Sequence, residues 1–143
     1  MSNIDEQLQL KGRVKIHLNG ELVQDIENLV VTAGKGFVAS RMSGTSAGVM
    51  SHMAVGTSTT SASAGQTALV SESARVALAS TSVSSAVVTY TATFPAGTGT
   101  AALTEAGILN ASSSGTMLCR TVFSVVNKGS ADAMTITWTV TVS

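Results

Sequence analysis

Met134-Thr-Ile-Thr-Trp-Thr-Val-Thr-Val142 closes the chain with apolar residues on every even position and threonine on every odd position between them. Side chains alternate faces along a β-strand, so this stretch buries Met134, Ile136, Trp138, Val140 and Val142 and turns a row of hydroxyls the other way. A helix would scatter the same residues around its axis. Residues 88–94 repeat the pattern, with Val88, Tyr90, Ala92 and Phe94 interleaved by Thr89, Thr91 and Thr93. Two long strands with a small, uncharged polar face predict a β-sheet protein whose sheet is built to be covered or to assemble.

Working outward, residues 12–18 alternate Val14, Ile16 and Leu18 against Arg13, Lys15 and His17, and Asn19-Gly20 supplies a hairpin turn into a returning strand over residues 21–31. A bulge or break is expected near Asn28. Residues 32–42 hold the one helical pattern, with Thr32 as its cap and Phe37, Val38, Arg41 and Met42 at helical spacing. Further strands are expected at 50–55, 75–83, 86–94, 100–109, 116–126 and 134–142, with turns at Ser84-Ser85, at residues 112–115 and at residues 127–130. The Ser/Thr/Ala-rich residues 56–65 read as an extended surface loop, and residues 66–70 as a single turn. About eight strands with closely spaced turns and one short helix define an all-β chain. The expected form is a jelly-roll-like antiparallel β-sandwich. Residues 1–10 read as a flexible N-terminal arm and 11–143 as a single domain.

Composition removes several function classes. Eight basic and eight acidic residues cancel, and charged residues make up only 11% of the 143. No direct nucleic-acid partner and no anionic membrane partner is expected, since both require a basic surface. Low charge also removes the repulsion that keeps monomers apart, which favours assembly. Mean hydropathy is +0.35, yet no apolar run approaches the roughly 20 residues of a spanning helix. The start, Met-Ser-Asn-Ile-Asp-Glu, lacks the apolar core of a secretory signal. The single cysteine, Cys119, excludes an internal disulfide and reads as a buried, inert thiol.

Each pattern that resembles catalytic chemistry fails on context. Gly44-Thr-Ser-Ala-Gly48 fits Gly-x-Ser-x-Gly, but the helix precedes it, and His52 follows Ser46 with no carboxylate between. Gly34-Lys-Gly36 has the wrong spacing for a phosphate loop, which leaves Lys35 a solvated residue in the first turn of a helix. A metal site would need His17 and His52, and His17 shares its face with Arg13 and Lys15, which repel a cation. Glu72 and Glu105 are the carboxylates expected within the folded body. A glycosidase pair is disfavoured by an aromatic content of 3%, so pairing with Arg75 or Arg120, or contact with an assembly partner, is expected instead. The threonine rows lack the repeat of an ice-binding array, and threonine's fit to a pleated surface explains them. No catalytic, cofactor-binding or metal-binding residue is therefore assigned, and no enzymatic activity is expected.

An ordered series of segments carries a resemblance: His52-Met-Ala-Val-Gly-Thr57, Gln66-Thr-Ala-Leu69, Arg75-Val-Ala-Leu78, Tyr90-Thr-Ala-Thr-Phe94, Leu103-Thr-Glu-Ala-Gly-Ile-Leu109, Met117-Leu-Cys-Arg-Thr-Val-Phe123, Asn127-Lys-Gly129 and Thr135-Ile-Thr-Trp-Thr-Val140. Over roughly residues 13–142 this series resembles small virion structural proteins of tailed double-stranded DNA bacteriophages, in particular head decoration (cement) proteins of short-tailed phages. The resemblance implies a jelly-roll-like protein that is made in the bacterial host cytoplasm and clamps the major capsid protein from the capsid exterior. Homodimers or trimers are expected on that lattice. The alternative is a tail-fibre or collar module, where similar segments occur.

Overall fold

The computed structural model describes residues 8–44 and 48–143. Nine strands and one helix follow one another as β1 (Leu10–Leu18), β2 (Glu21–Val30), α1 (Thr32–Met42), β3 (His52–Gly56), β4 (Glu72–Ala77), β5 (Ser80–Ser84), β6 (Val87–Phe94), β7 (Ala101–Leu109), β8 (Met117–Lys128) and β9 (Met134–Val142). They form one curled antiparallel sheet in the order β4-β3-β7-β8-β2-β1-β9-β6-β5. The all-β class expected from the sequence is therefore present, with nine strands where about eight were expected.

The closing strand sits where its pattern predicts. β9 pairs along its length with β1 on one side and β6 on the other. Met134, Ile136 and Trp138 are fully buried, and Thr135, Thr137, Thr139 and Thr141 are partly exposed on the opposite face. Trp138 gives its indole N–H to Asn28 Oδ1 at 3.0 Å. Gly12, paired with both Asn28 and Val140, leaves the space that the Asn28 amide fills; a Cβ there would collide with it. The core continues through Val14, Ile16, Ala92, Phe94, Leu103, Ile108 and Cys119.

The sheet curls at two corners. β2 pairs with β1 up to Asn28, then changes partner, so that Leu29 and Val30 pair with β8. The irregularity expected near Asn28 is thus a change of partner, and the bulge in β2 falls at Val23 instead. The second corner splits the strand expected over residues 75–83. Leu78 donates its amide to Ser51 O (2.9 Å) and Ala79 donates to Thr91 O (2.7 Å). β4 therefore ends against β3 at one end of the strand order, and β5 begins against β6 at the other.

Turns and helix follow local chemistry. Asn19 and Gly20 are both left-handed, at φ of 51° and 83°, as a tight hairpin requires. Ser85, at φ 54°, turns β5 into β6 at the expected place. The helix has the expected bounds but not the expected cap, because Val31 occupies the N-cap and no side chain bonds there. Thr32 instead donates its amide to Ala64 O at 2.8 Å, and Val31 donates to Leu118 O at 3.3 Å. Tertiary carbonyls thus satisfy two main-chain donors at the start of the helix. No described helix is long and apolar enough to cross a membrane. Of the arm expected over residues 1–10, residues 1–7 lie outside the described part. Gln9 exchanges main-chain bonds of 2.7 and 2.9 Å with Ser143, and Leu10 opens β1.

The two helix glycines have opposite surroundings. A Cβ on Gly34 would run into the main chain of Leu118, whereas one on Gly36 would meet nothing within 4 Å. Gly34→Ala is expected to lower stability by roughly 1–3 kcal/mol through overpacking. Gly36→Ala should raise it by up to about 1 kcal/mol, the propensity difference alone. Chemical denaturation of the two variants checks the opposite signs.

Candidate interaction face

The two halves of the curled sheet differ in what covers them. On the half formed by β4, β3, β7 and β8, residues 57–71 and α1 lie over the outer side. Residues 103–109 of β7 are consequently buried on both faces. Val31, Ala54, Leu69, Leu109 and Met117 make a second apolar cluster beneath that cover. The segment expected as an extended surface loop over 56–65 is in part a lid, with Ser58 buried and its carbonyl accepting from Thr104 Oγ1 at 2.8 Å.

A buried ion pair fastens the lid. Arg120 and Glu105 are both wholly buried, and Arg120 Nη2 lies 2.9 Å from Glu105 Oε1. The carboxylate also accepts the amides of Ser58 (3.1 Å), Val70 (3.0 Å) and Ser71 (2.8 Å). Arg120 Nη1 donates to Thr60 O (2.9 Å) and Gln66 Oε1 (3.1 Å). Gly56 is required beside this node, since a Cβ would press on Ser71 O and the Glu105 carboxylate. Both charges are thus consumed in bonds to each other and to the 58–71 segment, which leaves none free for acid–base work. Glu72 is spent likewise on Arg75 at 2.7 Å, and Arg75 holds the carbonyls of Ala111 and Ser114. Both acids therefore have the arginine partners that the sequence offered.

The other half, β2-β1-β9-β6-β5, has an outer side that no other described residue covers, and the register sets its chemistry in rows. Glu27 lies beside Arg13, Arg13 beside Thr139, Thr139 beside Thr89, and Thr89 beside Ser82. One row along, Asp25, Lys15, Thr137, Thr91 and Ser80 follow in the same way. The face therefore passes from an acidic strand, through a basic one, to two threonine strands and a serine strand. Alternate residues along each strand stand about 6.8 Å apart. Arg13 Nε meets Asp25 Oδ1 at 2.8 Å with both side chains exposed, a pair contributing at most about 1 kcal/mol. His17 stands on this face, one pair from Thr135. A shallow depression of about 260 Å³ lies among Arg13, Lys15, Thr137 and Thr139. The hydroxyl rows of β9, β6 and β5 carry no charge whose desolvation would oppose their being covered.

The remaining sites come apart. Of the Gly-x-Ser-x-Gly stretch, Thr45, Ser46 and Ala47 lie outside the described residues. His52 is on β3, four strands from His17 on β1, and its Nδ1 lies 2.7 Å from Ser51 Oγ. Among the described residues no three His, Cys, Asp or Glu side chains gather as metal ligands. Lys35 is exposed on α1, beside a groove of about 460 Å³ lined also by Leu10, Val38 and Met42. Cys119 is buried, and burial pushes its thiol well above the ordinary range despite a main-chain bond with Ile108. Lys128, whose burial the sequence did not signal, donates to Pro95 O at 2.9 Å. No family model, curated protein or solved structure matches this chain.

Two outcomes are expected from these environments. Glu105→Gln leaves a buried guanidinium uncompensated and should cost about 3–5 kcal/mol, read by denaturant unfolding, with residues 57–71 becoming the first site of proteolysis. A disulfide reagent at pH 8 should leave folded protein unlabelled and modify Cys119 only after guanidinium unfolding. Rapid labelling of the native protein would contradict its burial.

Proposed function

We propose that this chain is a non-enzymatic virion structural protein of a tailed double-stranded DNA bacteriophage. In this reading it is a capsid decoration or cement protein with a jelly-roll-like β-sandwich arrangement. It binds the outer surface of the major capsid protein lattice and stabilises the head against internal DNA pressure. The observation that carries the reading is the open face of β9, β6 and β5. Its neutral hydroxyl rows leave little charge to desolvate on contact with protein. The ordered segments quoted above give the same direction, and both carboxylates of the folded body that stood as catalytic candidates are used internally.

The mechanism is mechanical. A rigid curled sheet bridges neighbouring capsid subunits, and many copies on one lattice hold by avidity even where each contact is weak. The half carrying the Arg120–Glu105 node supplies stiffness, while the open half supplies contact. A tail-fibre or collar position is the alternative that the same segments admit, and analysis of separated heads and tails by mass spectrometry discriminates the two.

Heads stripped of the protein are expected to lose resistance to heat and osmotic shock and regain it on adding the purified chain back. Thr137→Glu and Thr139→Glu together should weaken head binding at least about tenfold while leaving the unfolding midpoint within a few degrees, because both side chains point away from the core and stand opposite Lys15 and Arg13. Unchanged head resistance, or unchanged binding by the double variant, would remove the reading or the face respectively.

A further inference from the structure

β5 is the outermost strand on its side of the sheet. All five of its residues are exposed, on both faces, with Val83 at 70%. Natural edge strands are usually guarded by lysine, proline, an inward charge or a covering loop. β5 reads Ser-Thr-Ser-Val-Ser and has no such residue. The neutrality extends well beyond it, since no charged residue stands between Arg75 and Glu105. The opposite edge differs, because β4 carries the Glu72–Arg75 pair. The split between β2 and β8 is bridged by side chains, with Gln24 donating to Ser124 O at 3.0 Å and Thr121 to Glu27 O at 3.2 Å.

The orientation of the β5 main chain follows from its turn. A two-residue connection at Ser85-Ala86 makes Ser84 and Val87 a hydrogen-bonded pair. By alternation Ser80, Ser82 and Ser84 bond inward to β6, and Ala79 donating to Thr91 O at 2.7 Å closes that end of the ladder. The amides and carbonyls of Thr81 and Val83 therefore point outward from the sheet.

We infer that β5 is the pairing edge for a second copy of this chain, joined antiparallel about a twofold axis at Ser82. In that register Thr81 of each copy faces Val83 of the other, and both outward amide–carbonyl sets are exchanged. Val83 packs on the methyl group of Thr81 and lies diagonal to Val83 of the other copy, and the serine rows of the two copies abut, extending the hydroxyl face across the dimer. An identical edge is the partner argued for because a neutral strand meets its own copy without repulsion, whereas a charged partner would find no countercharge here. This names the contact by which copies on a lattice meet, and so deepens the cement reading, although register and charge carry it independently. A five-residue edge covers far less than the roughly 1,200–2,000 Å² of a stable interface. The dimer is consequently weak in dilute solution.

Sedimentation equilibrium of the full chain from about 10 μM to 2 mM tests the assignment, with a dissociation constant of roughly 0.1–1 mM expected. Val83→Pro removes an outward amide without touching the β6 ladder, and Val83→Lys sets like charges across the axis. Each should weaken association at least about tenfold with little change in unfolding midpoint, and the lysine variant serves if proline perturbs folding. A wild-type chain that stays monomeric at 2 mM would overturn the proposal. So would a dimer indifferent to a folded Val83 variant. A monomer whose Val83 variants lose affinity for heads would also overturn it, assigning the edge to capsid protein. A dimer that is lost on substitution but ignores heads supports the edge and removes the cement reading alone.

Discussion

The change of partner inside β2 is the constraint on which the rest of the structure depends. Up to Asn28 the strand bonds to β1, and from Leu29 it bonds to β8. A buried main chain cannot leave its amides and carbonyls unpaired, so a sheet that must curl needs a strand that changes neighbours without a gap. β2 does this at one corner, and Leu78 and Ala79 do it at the other by donating to opposite halves. The interior so enclosed is filled by the period-two faces of β1, β6 and β9 on one side and by β3, β7 and β8 on the other.

Curling also decides which surfaces are free. Residues 57–71 cover one half because Glu105 accepts three amides of that segment and Arg120 holds a carbonyl and an amide oxygen of it. An ion pair this deep returns little net stability beyond its desolvation cost. What it contributes is a defined position for a segment of small polar residues that has few apolar side chains to anchor it. The half without such a lid keeps its hydroxyl rows open. The covered and the open outer sides are thus separated onto the two halves of one sheet.

Much of this was legible in the sequence, for reasons that can be stated. β9 and β6 declared themselves because alternation is local and strict, and Asn19-Gly20 because its left-handed φ values are a local requirement. The bounds of α1 were readable, but its cap was not, since Thr32 is served by Ala64 from a distant segment. Nothing local to Leu78 marks a corner, so residues 75–83 have the pattern of one continuous strand; the break is made by Ser51 and Thr91, which the chain brings there from both directions. The lid character of residues 57–71 was hidden for the same reason, although the pairing of Glu105 with Arg120 was among the partners that charge alone proposed. A glycine inside α1 costs helix stability, and the close approach of Gly34 to the Leu118 main chain explains its place there.

Taken together, the Arg120–Glu105 and Arg75–Glu72 pairs spend their charges inside the fold, and the open half carries hydroxyl rows on β9, β6 and β5 beside a charged margin on β2 and β1. The proposed role requires that the face of β9, β6 and β5 be covered by another protein. A cryo-EM map of heads carrying the protein tests this most directly. In the proposed role, capsid density packs against Thr137, Thr139 and Thr91, with the lid of residues 57–71 turned away. A map in which those threonines face bulk solvent, or in which the protein is absent from the head, would contradict it.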